Sequence, residues 1–214
     1  MSVRDPVPAM SAALKGAQIY FGPFLVTSQV KYPPIPHRKI ISLTVHKVFH
    51  LTPLSFALVN LKPILPGHVL VSSRRRVPRV ADLTAAETSD LFLTVQRVGR
   101  MVERVYGASS LNIAVQDGPE AGQSVAHVHA HIIPRKRADL DHRGGIDAVY
   151  HLLDGEEGDL RRAFGEGKEG ERRPRAKFPA VDNEGRSPRS MEEMEAEAEM
   201  LAREMERMER EIVG

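Results

Sequence analysis

Three of the nine histidines stand within five residues, His127, His129 and His131, separated by Val128 and Ala130. From Val125 to Ile133 the chain is rich in Val and Ile, which favour extended backbone. Side chains of a strand alternate between faces, so this spacing predicts all three imidazoles on one face, roughly 6.5–7 Å apart, with Val128, Ala130 and Ile132 turned to a core. Such a row has three readings. It could be a partly exposed polar face, although adjacent imidazoles bring no structural benefit. It could hold a metal, since imidazole is a frequent zinc ligand. A hydrolytic zinc centre often recruits a carboxylate or a distant histidine, and the carboxylates just outside the row, Asp117 and Glu120, sit in a glycine-rich turn. It could also perform nucleophilic catalysis on phosphorus, one imidazole attacking while its neighbours fix its tautomer and supply protons.

The residues upstream favour the third reading. Asp117 to Ser124 (DGPEAGQS) form a tight turn leading into the histidines. Glycine lets backbone N–H groups approach an anion closely, and Gln123 and Ser124 add uncharged hydrogen-bonding groups. Arg135, Lys136 and Arg137 follow and could steer a polyanion. Arg74, Arg75, Arg76 and Arg79 read more simply as a solvated basic edge.

These residues need a scaffold. Thr84 to Tyr106 predicts a helix, with an apolar stripe of Leu91, Val95, Val98, Val102 and Val105, Thr84 and Glu87 placed as a capping box, and Gly107 as its end. Strands are expected at Leu54–Asn60, His68–Ser73, Leu111–Gln116 and Val125–Ile133. Few strands, one main helix and no repeated strand–helix alternation predict an α+β fold with an antiparallel sheet. Residues 154–189 are mostly glycine, proline and charge, and predict a disordered loop. Residues 190–213 predict an amphipathic C-terminal helix, capped by Ser190 and Glu193. Its seam of Met191, Met194, Ala198, Leu201, Met205, Met208 and Ile212 either packs on its own domain or forms a coiled coil with a partner.

Composition narrows the classes. The chain has 214 residues and no cysteine, which excludes thiol catalysis, thiolate metal sites and a disulfide scaffold. No apolar run approaches the roughly 20 residues a membrane helix needs. Lysine and arginine number 30 against 28 acidic residues, a balance that gives no reason to expect nucleic acid as a partner.

The string H-V-H-A-H-I-I resembles the histidine triad, and QDGPEAGQSVAHVHAHIIPRK is similar to its fragile histidine triad (Fhit) branch, which contains dinucleoside polyphosphate hydrolases. LSFALVNLKPILPGHVLV, residues 54–71, is similar to that branch's N-terminal hairpin. The resemblance covers residues 19–153, with 1–18 as a flexible N-terminus. It implies hydrolysis of diadenosine triphosphate to AMP and ADP, or of the tetraphosphate, through a covalent nucleotidyl-histidine. It makes His129 the nucleophile, with an acceptor for its other nitrogen on a backbone carbonyl. His131 contacts the transferred phosphate, and His127 is structural and paired with His68. Gln123 and Ser124 hold phosphates, Asn60 binds ribose, and Gln116 with Gly122 to Val125 lines the phosphate and ribose side. No organic cofactor and no protein-bound metal are implied; magnesium or manganese could ride on the substrate. A homodimer with one continuous sheet, no membrane, and a cytoplasmic or nuclear setting complete the expectation. The alternatives are a slow nucleotide-binding signalling module, a metal hydrolase, or another hydrolase or nucleotidyl transferase of the same superfamily.

One segment departs from the family pattern. Lys31 to Lys47 splits what should be one hairpin arm, and reads as a surface insertion or as a short retained intron translated in frame.

Overall fold

In a computed structural model of the chain, the described residues are 19–22, 24–27, 47–123, 125–153 and 189–213. The expectations for 1–18, for 31–46, for 154–188 and for Ser124 lie outside them. Strands β1 (Ile19–Phe21) and β2 (Phe24–Thr27) form a small antiparallel pair. Strands β3 (Val48–Leu51), β4 (Ser55–Val59), β5 (Val69–Ser73), β6 (Ser110–Ala114) and β7 (His129–Arg135) form one antiparallel five-stranded sheet in the order β3-β4-β5-β7-β6. With helices α1 (Ala85–Tyr106) and α2 (Met191–Val213) this is the expected α+β architecture.

Alternation along the strands builds two faces. Ala57, Val59, Val69, Val71, Ala130 and Ile132 pack against the stripes of both helices. Phe56, Leu58 and Leu70 point the other way, onto Ile19, Phe21 and Val26 of the β1–β2 pair. His129 and His131 follow the second parity, so they lie on the face away from the helices. A third cluster, around Ile133, Leu140 and Val149, closes the far end of β7.

Helix α1 begins where the capping box was expected. The Thr84 hydroxyl accepts from the Glu87 N–H, and the Glu87 carboxylate accepts from the Thr84 N–H. The helix ends on Gly107 at φ +59°, a left-handed conformation that costs glycine little. The same box recurs at Ser190 and Glu193 ahead of α2. Met194, Ala198, Leu201 and Met205 of the α2 seam are buried in the cluster that holds Leu91, Val95 and Val98. The seam therefore packs on its own domain. Met194, Leu201 and Met205 each contribute about 1.5–3 kcal/mol by leaving water.

The strand expected from Val125 starts later, at His129. His127 N–H bonds to Val125 O at 2.7 Å, and Val128 N–H bonds to Val77 O at 2.8 Å, outside the β5–β7 ladder. Lys47, the last residue of the segment read as an insertion, is buried, and its carbonyl accepts from Val59 N–H at 2.9 Å.

Candidate active site

The site grows from the start of β7. Antiparallel register sets Leu70 opposite His131 and Ser72 opposite His129. The His129 and His131 rings meet edge-on with centroids 5.1 Å apart. Phe21 reaches over from β1, edge-on to His129 at 5.0 Å and stacked on His127 at 5.8 Å. All three triad histidines are buried.

Hydrogen bonds fix which nitrogen of each ring carries the proton, because a backbone carbonyl can only accept and a backbone N–H can only donate. Nδ1 of His129 lies 2.7 Å from the His127 carbonyl. It must donate, so in the singly protonated ring the lone pair lies on Nε2. His127 receives the Gly22 N–H on Nδ1 at 3.0 Å and gives its Nε2–H to the Ser73 carbonyl at 2.7 Å. Both of its nitrogens are engaged, and burial pushes its pKa down to about 4, so it stays neutral. His68 accepts the Ile64 N–H on Nδ1 at 3.2 Å. Its Nε2 therefore carries the proton, which goes to His131 Nδ1 at 3.0 Å; Asn60 Nδ2, itself a donor, makes the longer contact of 3.3 Å to the same nitrogen. By the same logic the proton of a singly protonated His131 ring lies on Nε2. The row thus sets the lone pair of His129 Nε2 beside the Nε2–H of His131, the first ring oriented by a backbone carbonyl and the second by the His68 side chain.

This corrects the expected pairing of His127 with His68. The β5–β7 register carries His68 past the start of the ladder to His131, whereas Ser73, at the other end of β5, faces His127. Gly22, Phe21, Ser73 and Ile64 had not been singled out. Only Gly22, inside the Phe-Gly-Pro turn, carried a local signal.

The glycine-rich turn is held against the β5–α1 connection. Gly118 and Gly122 adopt φ +106° and +96°, flanking a 3-10 turn over Pro119–Ala121. Asp117 accepts the Val80 N–H at 2.8 Å and pairs with Arg79, and these two contacts, the backbone one first, hold its carboxyl below the usual range. Arg79 lies flat over Gly118, where a Cβ would come within 3.0 Å of the guanidinium. Gln123 Nε2 donates to Pro78 O at 2.9 Å. Gln116 is buried, and among the described residues its Oε1 has no partner, which suits an acceptor awaiting a ligand. Val125 is buried against Gly22, and Gly122 is half-buried at the turn's end. Asn60 is buried beside His68, its Oδ1 accepting the Lys62 N–H at 3.0 Å.

The basic residues are largely committed elsewhere. Arg135 is buried and forked onto Asp139, both bonds at 2.9 Å, at the far end of β7 from His129, so it does not steer substrate. Arg75 makes two 2.7 Å bonds to Glu87. Among the described residues no cluster of histidine and carboxylate groups has metal-ligating geometry, and no helix among them is long and apolar enough to cross a membrane.

Residues 44–138 match the HIT domain family model. An asymmetrical bis(5'-nucleosyl)-tetraphosphatase of Schizosaccharomyces pombe is 46% identical over 189 residues, covering 86% of this chain and 92% of the relative. The chain belongs to the histidine triad (HIT) family, in its Fhit branch. A bifunctional bis(5'-adenosyl)-triphosphatase/adenylylsulfatase, FHIT, of Arabidopsis thaliana is 56% identical over 116 residues, covering 54% of this chain and 63% of that protein. The crystal structure of the C. elegans NitFhit protein superposes with a TM-score of 0.55 and 32% identity, over 87% of this chain and 30% of that one.

Proposed function

We propose that the chain hydrolyses dinucleoside polyphosphates, diadenosine triphosphate to AMP and ADP and the tetraphosphate to AMP and ATP, through a nucleotidyl-His129 intermediate. The observation that carries this reading is the His129 Nδ1 bond to the His127 carbonyl, which aims an unprotonated Nε2 away from the strand. That nitrogen attacks the α-phosphorus in line. An N–P bond forms, the bond to the bridging oxygen breaks, and the nucleoside di- or triphosphate leaves with that oxygen. Water then attacks the same phosphorus, the N–P bond breaks, AMP departs and neutral His129 is restored. Two easier displacements replace one difficult one.

In this reading His131 Nε2–H donates to the transferred phosphate, strengthening as charge develops. Gln123, Ser124 and the N–H groups near Gly122 and Val125 hold the remaining phosphates, while Gln116 and Asn60 serve the ribose. A magnesium or manganese ion would accompany the substrate's phosphates rather than belong to the protein. The exposed edge strand β6, with Ile113 half exposed, supports a homodimer joined through that edge.

Product analysis tests the reading. Diadenosine triphosphate should give equimolar AMP and ADP, and in ¹⁸O-water the label should enter AMP alone. His129→Asn should abolish turnover while binding persists. Label in ADP, or turnover surviving the substitution, would overturn the covalent route.

A further inference from the structure

His68 presents the proton that orients His131, and His68 sits at the end of the β4–β5 connection, residues 60–68. Within it, Lys62 N–H bonds to Asn60 Oδ1, His68 N–H to Leu65 O and Ile64 N–H to His68 Nδ1, and Asn60 Nδ2 lies 3.3 Å from His68 Nε2. Further bonds reach it from outside. The Asn60 and Leu61 carbonyls lie beyond the ladder, which ends at Val59 opposite Val69. Both are taken by one residue, Arg189, immediately ahead of α2. Its N–H donates to Leu61 O at 3.1 Å, and its guanidinium donates to Asn60 O through Nε at 3.1 Å and also through Nη2.

The third guanidinium nitrogen, Nη1, donates to Glu197 Oε2 at 2.5 Å, in the second turn of α2. The other carboxylate oxygen, Oε1, accepts the Tyr106 hydroxyl at 2.6 Å from the last residue of α1. The Tyr106 ring in turn covers Gly67, where a Cβ would stand 2.5 Å from a ring carbon and φ is +83°. So one polar triad grips the connection at both ends: Arg189 at Asn60 and Leu61, Tyr106 at Gly67, with Glu197 joining them. The Arg189 and Glu197 side chains are mostly shielded from water, at 19% and 13% exposure, where charge-assisted bonds are strong.

We propose that Arg189, Glu197 and Tyr106 are positioning residues for catalysis, holding the 60–68 connection so that His68 keeps the tautomer that orients His131. None of the three touches the reacting atoms. The inference rests on the hydrolase reading for its kinetic effect but not for its structural one. It makes the junction ahead of α2 part of the catalytic apparatus, although α2 packs on the opposite face of the sheet from the triad.

The test compares Arg189→Met with Met205→Ala, a buried α2 substitution remote from the clamp that also lowers stability. The full chain is used throughout, with Tm recorded for each variant. The ¹⁵N shifts of the His68 and His131 ring nitrogens are read in the free protein, followed by kcat and KM for diadenosine triphosphate. Arg189→Met should mix the His68 tautomers and lower kcat about tenfold, the scale of one lost orienting hydrogen bond, with KM within about twofold. Met205→Ala should lower Tm yet leave tautomers and kcat in place. If Arg189→Met does not fold, Glu197→Gln, which keeps the shape of the clamp but removes its charge, decides by the same readouts. Unchanged tautomers in the folded clamp variant overturn the proposal whatever happens to turnover. So does a loss of kcat that Met205→Ala matches at equal Tm. Because the ring-nitrogen signals need no substrate, a failure of the hydrolase reading shows separately.

Discussion

Replacing His68 separates orientation of the site from its chemistry. In the native chain His68 Nε2–H donates to His131 Nδ1 at 3.0 Å, and both rings are fully buried. His68→Phe keeps the volume and removes the donor. The cost has two parts: a net hydrogen bond of about 0.5–1.5 kcal/mol, and desolvation of a buried acceptor left unpaired, about 1–3 kcal/mol. His131 can then move its proton to Nδ1, turning its Nε2 lone pair toward phosphate oxygens. If most of this appears in the transition state, about 1.5–3 kcal/mol lowers kcat by roughly 10- to 150-fold, at 1.4 kcal/mol per tenfold. His68→Gln sharpens the test. A glutamine amide nitrogen can occupy the place of Nε2 and still donate to His131, while the acceptor for Ile64 N–H is lost. Rapid-quench measurement of the first turnover should therefore rank native chain, His68→Gln, then His68→Phe, with KM little changed. Equal losses in the two variants, or turnover in His68→Phe within twofold of native, would refute the tautomer argument.

Other expectations concern the scaffold. Gly67→Ala forces a side chain to φ +83° and a Cβ to 2.5 Å from the Tyr106 ring. Left-handed strain of ~1–2 kcal/mol and overpacking of ~1–3 kcal/mol predict a loss of about 2–5 kcal/mol in urea unfolding, and a loss under 1 kcal/mol would contradict the geometry. Thr84→Ala removes the α1 cap and should cost about 1 kcal/mol of stability with turnover unchanged. His50 and His127 both have pKa values lowered to about 4, burial being the larger cause in each. The unfolded chain takes up these protons below about pH 6.5 and the folded one does not until near pH 4. Stability should thus be level above pH 6.5 and fall between pH 6.5 and 4, each group adding a slope of up to ~1.4 kcal/mol per pH unit. His50→Leu, which also removes an unpartnered buried Nε2, should take one proton from that slope in urea titrations at pH 7, 5.5 and 4.5. An unchanged slope would show that His50 is not held neutral.

The parts of this protein legible in its sequence are those written in local spacing. The alternation of His129 and His131, the two S/T-x-x-E capping boxes and the α1 stripe each depend on residues within a turn or two, and each stands where the spacing puts it; His127, ahead of the strand, does not. The α2 seam was legible as a helix but not as to its partner, because a methionine heptad suits an own-domain groove or a second helix equally. What escaped was long-range. Whether His68 meets His127 or His131 depends on β5–β7 register, and His127 ahead of the ladder depends on a bond from Val128 to Val77 across 51 positions of chain. Arg135 looked free to steer a polyanion because its partner Asp139 lies in a turn whose conformation no pattern declared. Arg189 fell at the end of the 154–189 segment expected to be a disordered loop, and Glu197 carried no sign of a partner; in the fold Arg189 is instead ordered against Asn60 and Glu197 meets Tyr106.

The most direct measurement of the central claim is mass analysis of the protein quenched during its first turnover of diadenosine triphosphate. The account predicts a transient, acid-labile adduct of one AMP unit, located on His129 by peptide mapping and absent from His129→Asn. Rapid hydrolysis with no adduct at any quench time, or an adduct on His127 or His131, would contradict it.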